Sequence, residues 1–356
     1  MGIITANGTL GLPARGFPAA SMPLAGIGGG RVTRDLVSIA DLAPSEFVLL
    51  LDRALHLQQA DLDSRLVAAA PLQLDPLAGR AVVTMFFEAS TRTSTSFQLA
   101  AQRLGAHVVH VAAQHSSVGK GESLQDTMQT LAAYDPATIV VRHPRAGAVR
   151  DAARWSAAPV VNAGDGAHEH PTQALLDLVA LRARLGADLT GLHVWIVGDV
   201  RHSRVARSGI QAFRRAGCEV TVCGPPTLIP AGIEQLGCTV THDLARVGEA
   251  DVVYALRMQH ERMHGSYVPS LREYARSWQV RAEHLRPGQL VMHPGPVNRG
   301  VELAHELVDS PQSLILDQVR AGLYARMAVL EHATAGIPTT TRIAADPATT
   351  TGGRPA

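Results

Sequence analysis

The sequence predicts an α/β protein built from two domains, each a mostly parallel sheet flanked by helices. Short apolar runs alternate with helically spaced ones through the middle of the chain, and such alternation implies parallel strands covered on both faces. Four of these runs precede Pro171 and about four follow it. The 356 residues suit two domains of ordinary size. With 46% hydrophobic and 18% charged residues, the chain can bury a sizeable core and is not globally disordered.

Taken in order, the expected strands are Ala81–Phe87, His107–Ala112, Thr138–Arg142 and Val160–Asn162, then Leu192–Val197, Glu219–Cys223, Asp251–Ala255 and Leu290–His293. Phe97, Ala100, Ala101 and Leu104 fall at helical spacing, as do Leu124, Thr127, Met128 and Leu131. A long helix begins near Pro171, a residue favoured at the first helical position, and carries Leu175, Leu178 and Leu181. A last helix spans Val319 to Thr334. The expected organisation is a disordered tail over 1–30, a first domain over 31–178, a second over 179–317, a C-terminal helix over 318–337 that packs back on the first domain, and a disordered tail over 338–356. The two tails are Gly-, Pro-, Ala- and Thr-rich and lack either period.

Ligands of open α/β sheets sit beyond the carboxyl ends of the strands, so the residues that follow each strand carry the functional signal. They are Ser90-Thr-Arg-Thr93, the loop Ser116 to Glu122, Arg142-His-Pro144, Gly164 to Gln173, Gly198 to Arg204, Arg257-Met-Gln259 and His293-Pro-Gly-Pro296. The stretch FFEASTRTSTSF packs hydroxyls and Arg92 at a strand–helix junction. A helix starting there offers unpaired N–H groups and the positive end of its dipole, a setting suited to phosphate. Lys120 lies in a glycine-flanked loop; because Gly121 follows it, the loop is not a P-loop. His170 precedes a helix start, where a neutral imidazole can donate to an oxyanion, and Gln173 can face the same space. His168 and His170 alternate as zinc ligands can, but no third ligand is evident. Arg204 and Arg257 could each grip a carboxylate, as a dicarboxylate substrate would need.

These motifs, taken in order, resemble the aspartate/ornithine carbamoyltransferase family over about Arg34 to Ala335; Arg257-Met-Gln259 and Lys120 point to its aspartate branch, whereas an ornithine-type chain would carry cysteine in the motif here reading His293-Pro-Gly-Pro296. The resemblance implies transfer of a carbamoyl group from carbamoyl phosphate to L-aspartate, an early step of pyrimidine synthesis. It implies that Ser90, Thr91, Arg92 and Thr93 hold the phosphate and that Arg142, His170, Gln173 and the segment Pro294, Gly295 and Pro296 hold the carbamoyl end. Arg204, Arg257, Gln259 and Lys120 would hold aspartate, with Arg92, Thr93, Lys120, Arg142 and His170 acting in catalysis. It further implies a homotrimer with shared sites, in which the loop carrying Ser117 (or Ser116) and Lys120 enters the neighbouring subunit. A larger assembly with regulatory chains or a dihydroorotase-like protein stays open. Some relatives carry leucine at the position of Gly295, which a backbone contact would tolerate.

The remaining expectations are negative. A net charge of +1 argues against a nucleic-acid surface. The absence of a run of about 18 apolar residues argues against a membrane span. Three cysteines without CxxC spacing read as buried thiols of a reducing compartment, and with no secretory signal the expected location is cytoplasmic. No metal or cofactor is expected.

Overall fold

Nine parallel strands in two sheets, with helices on their faces, make up the computed structural model, which describes residues 34–68, 70–112, 121–259 and 267–334. The first half contains α1 (Pro44–Ala68), β1 (Ala81–Phe86), α2 (Thr91–Arg103), β2 (His107–Ala112), α3 (Leu124–Ala133), β3 (Thr138–His143), α4 (Ala148–Trp155), β4 (Val160–Asp165) and α5 (Pro171–Leu185). The second contains β5 (His193–Val197), α6 (Arg204–Arg215), β6 (Glu219–Cys223), β7 (Thr239–Thr241), β8 (Val252–Ala255), α7 (Leu271–Trp278), β9 (Leu290–Met292), α8 (His305–Val308) and α9 (Ile315–Thr334). The two-sheet α/β architecture read from the sequence is present. Both expected tails, and the loop with Ser116, Ser117 and Lys120, lie outside the described residues.

The first sheet has the order β2-β1-β3-β4 and the second β7-β6-β5-β8-β9. Chain direction across each sheet therefore reverses at one internal strand pair, β1 with β3 and β5 with β8. Crevices at such switch points are where ligands settle in open α/β sheets. The strands are apolar throughout because both faces are covered. Val83, Met85, Ile139 and Val141 face α3 and α4, whereas Val82 and Val140 join the large core on the other side. Trp195, Val197, Val253 and Ala255 likewise form a core on one face of the second sheet.

The large core runs through both halves. It takes in Val82 and Val140, the leucines of α5, then Val194, Ile196 and Phe213, and Met327 to Leu330 of α9. α5 is buried from Pro171 to Leu181, and α9 packs on α1, α2 and α5, so the C-terminal helix does return to the first sheet. Residues 34–334 belong to one compact unit. The sequence reading named neither α1 nor β7. Phe47, Leu50, Leu51, Ala54 and Leu57 of α1 are buried at helical spacing, but exposed Val48, Leu62 and Leu66 blur the stripe. β7 is a three-residue edge strand with one apolar residue.

Candidate active site

Six strands deliver their following residues to one cavity of about 530 Å3 between the sheets. From the first sheet come Ser90, Thr91, Arg92 and Thr93 after β1, Arg142 at the end of β3, and His170 and Gln173 after β4. From the second come Arg204 after β5, Arg257 and Gln259 after β8, and Pro294, Gly295 and Pro296 after β9. Thirteen of the fourteen residues that the resemblance assigns to the substrates or to catalysis thus line one space; the fourteenth, Lys120, lies outside the described residues.

α2 starts at Thr91, and the side chain of its N-cap Ser90 makes no capping hydrogen bond. The first-turn N–H groups and the Ser90 hydroxyl therefore remain for a ligand at the positive end of the helix. Thr93 is buried on the first turn. Gly295, at φ 65, brings its backbone against the guanidinium of Arg92: a Cβ there would stand 3.2 Å from Arg92 Nε and 3.3 Å from its Cζ. A side chain at that position would press on Arg92 as well as strain the backbone, so, contrary to the expectation from sequence, leucine at Gly295 would require Arg92 to give way.

Arg142 sits where the β3–β4 register shifts, an irregularity that re-aims a strand side chain. Its Nε donates to Glu88 Oε2 at 3.2 Å, and Arg204 Nη2 donates to the same oxygen at 2.5 Å. Glu88 thus joins a residue of the first sheet to one of the second. Burial, then the neighbouring Arg204, bring Arg142 down to about 10, which leaves it charged at neutral pH. Burial, then Arg257, also lowers Arg92. Arg326, on α9, reaches the cavity with Nη1 donating to Ser96 Oγ at 2.9 Å, and its guanidinium lies 5.2 Å from the centre of the Phe97 ring.

His170 is the N-cap of α5, with Pro171 at the first helical position. Its backbone N–H donates to Ser208 Oγ at 3.2 Å, and Thr172 Oγ1 lies 3.4 Å from its Nδ1. Burial first, then Arg142, Arg326 and Arg204, hold its pKa well below the usual 6.5. The imidazole is therefore neutral at physiological pH.

A buried polar chain stands behind the far wall. Gln173 Nε2 donates to Asp177 Oδ1 at 3.0 Å, and Gln318 Nε2 donates to the same oxygen at 2.7 Å. Tyr254 donates to Asp177 Oδ2 at 2.7 Å. Gln318 Oε1 accepts from the His293 backbone N–H at 3.0 Å, and His293 Nδ1 accepts from Gly295 N–H at 2.8 Å.

Arg92, Arg142, Arg204, Arg257 and Arg326 all line the cavity. Glu88 is paired with two of them, and a wall carrying this many guanidinium groups suits anionic ligands. The sequence reading missed Glu88, Arg326 and the Asp177–Gln318 chain. Its signal for Arg326 and Asp177 was a charged residue inside an otherwise apolar helical stripe, which buried charges need a partner to occupy. His168, which alternates with His170 in the sequence, has Nδ1 3.1 Å from Asp165 Oδ2. Among the described residues no group of three or more His, Cys, Asp or Glu is placed to hold a metal ion.

Comparison with known proteins gives two adjoining family matches. Residues 34–183 match the aspartate/ornithine carbamoyltransferase carbamoyl-P binding domain, and residues 190–333 match the Asp/Orn binding domain. The aspartate carbamoyltransferase catalytic subunit of Pelotomaculum thermopropionicum is 48% identical over 311 residues, covering 86% of this chain and 98% of that protein. The Beijerinckia indica subunit of the same name is 50% identical over 310 residues, covering 86% and 95%. Among solved structures, aspartate transcarbamoylase from Trypanosoma cruzi in complex with carbamoyl aspartate and phosphate is 32% identical with a TM-score of 0.73, covering 83% of this chain and 94% of that one. Ornithine carbamoyltransferase from Thermus thermophilus is 29% identical with a TM-score of 0.74, covering 85% and 100%.

Proposed function

From the premise that this chain belongs to the aspartate/ornithine carbamoyltransferase family, we propose that it transfers the carbamoyl group of carbamoyl phosphate to the amine of L-aspartate. The products are N-carbamoyl-L-aspartate and phosphate. The observation that carries the proposal is the convergence of five arginines from both sheets on one cavity. Two anionic reactants are thereby held together, and positioning of this kind removes much of the barrier to a bimolecular step.

The phosphate sits at the start of α2, on its N–H groups, Ser90, Thr91, Thr93 and Arg92. Thr93, Arg142 and neutral His170 donate to the carbonyl oxygen as it gains charge; one such donor contributes about 3 kcal/mol. The neutral aspartate amine attacks the carbonyl carbon, a C–N bond forms and the C–O bond to phosphate breaks. The amine proton passes to the departing phosphate, so no protein base is required. Arg204 and Arg257 take the two carboxylates of aspartate, with Gln259 assisting. Ornithine would bring an ammonium group where the second carboxylate belongs, into a cavity lined by arginines. Lys120, outside the described residues, is assigned to the same reaction from the family resemblance.

The finer reading is a cytoplasmic homotrimer acting in pyrimidine synthesis, with Lys120 serving a neighbouring site. Support for association comes from β2, an edge strand among the described residues whose Val109 is exposed; edges of this kind invite a partner. The deciding assay supplies carbamoyl phosphate with L-aspartate or with L-ornithine and identifies the carbamoylated product. Product from ornithine alone, or from neither, would refute the assignment. A single-subunit mass in light scattering, with full activity, would refute the shared site.

A further inference from the structure

We propose that Asp177 is a positioning residue that fixes which end of the Gln173 amide faces the acyl donor, and so makes the enzyme prefer a donor ending in an amino group over one ending in methyl. The inference rests on the carbamoyl-transfer reading above. Its basis is what a carboxylate can and cannot do. An ionised carboxylate only accepts hydrogen bonds, so the Gln173 group within 3.0 Å of Asp177 Oδ1 must be the NH2. The amide oxygen is then the other atom of that side chain, and Gln173 lines the cavity. No described residue donates to that oxygen. It is an acceptor held in place for a donor on the ligand, and the carbamoyl NH2 is the only donor that carbamoyl phosphate carries.

The same oxygen of Asp177 fixes a second wall of the site. It takes the NH2 of Gln318, whose own oxygen therefore faces the backbone N–H of His293. That bond anchors the segment leading into Pro294 and Gly295, which also line the cavity. Asp177 is fully buried, its other oxygen is held by Tyr254, and burial raises its pKa to about 6. When protonated it still presents an accepting oxygen, so the arrangement survives on both sides of that pH. A ligand with CH3 in place of NH2 would leave Gln173 Oε1 without a partner, and a site built to bond a polar group rejects the analogue that lacks it.

Acetyl phosphate is the probe, since it keeps the phosphate and the carbonyl and exchanges only NH2 for CH3. The quantity to read is its inhibition constant against carbamoyl phosphate divided by the KM for carbamoyl phosphate. Asp177→Leu, which keeps the forked shape at a larger volume and removes both acceptor oxygens, should lower that ratio about tenfold or more, through weaker carbamoyl phosphate binding with acetyl phosphate little changed. Asp177→Asn still offers an oxygen to both glutamines and should stay near wild type. An unchanged ratio in a folded Leu variant overturns the proposal. So does equal weakening of both ligands, which a merely structural role would give, or an Asn variant as impaired as Leu. Should the Leu variant fail to fold, Gln318→Met carries the test: a several-fold drop supports the relay, and a wild-type ratio overturns it. A wild-type enzyme that carbamoylates no amino acid sinks the function itself, a result distinct from an active enzyme with an unaltered ratio.

Discussion

Arg92 and Arg257 lie in the same cavity, where burial and then Arg257 lower the pKa of Arg92, yet they belong to different sheets and, in the proposed reaction, to different substrates. Arg92→Ala should reduce kcat by about 100-fold or more while the far-UV spectrum and oligomer mass stay unchanged. Arg257→Ala should raise the KM for aspartate far more than that for carbamoyl phosphate; equal effects on both would argue against the division of labour. His170 gives a third expectation. Its pKa is held below 6.5 in the folded protein by burial, Arg142, Arg326 and Arg204, so the unfolded chain takes up a proton that the folded one refuses. The stability tied to this group is complete above about pH 6.5 and is lost as the pH falls toward the folded value. Replacing it, as in His170→Gln, should shrink the fall in unfolding temperature between about pH 7.5 and about pH 5.5. The residues that line the cavity were legible because hydroxyls and arginines follow apolar strands in the sequence. Glu88 and Asp177 were not, because their meaning lies in partners such as Arg204 and Gln318, 116 and 141 residues away.

α9 shows how a helix can carry both packing and chemistry. Gly322 lies inside it, where glycine costs roughly 1 kcal/mol against alanine, so alanine would ordinarily stabilise. Here an added Cβ would meet Arg326 Nη1 at 2.6 Å and Leu176 Cδ2 at 3.2 Å. Gly322→Ala should therefore displace the guanidinium from Ser96 and Phe97. The expected result is an unfolding free energy within about 1 kcal/mol of wild type together with a several-fold higher KM for carbamoyl phosphate; an unchanged KM would show that Arg326 does not reach the ligand. Elements with one clean period, such as α2 with buried Phe97, Ala100, Ala101 and Leu104, were readable in advance. α1 was not, because apolar residues on its outer side mask the stripe, and β7 is too short to leave a pattern.

The two sheets share one core through α5 and α9. A chain ending at Leu185 would keep the whole first sheet and lose α9, exposing the apolar faces of α1, α2 and α5. Urea unfolding of such a chain should show no cooperative transition, unlike the full protein; a sharp transition would mean that the first half is self-sufficient. Sequence alone suggested two lobes of similar size because strand–helix alternation is a local signal. The return of the final helix to α1, α2 and α5 is a long-range property: it agrees with the expectation stated for that helix, but no local pattern encodes it. The 20 residues of α9 thus complete a core begun by the earliest helix. During synthesis the nascent first half waits with an open apolar flank until nearly the whole chain has left the ribosome, which makes it a natural client for chaperones that shield exposed greasy surface.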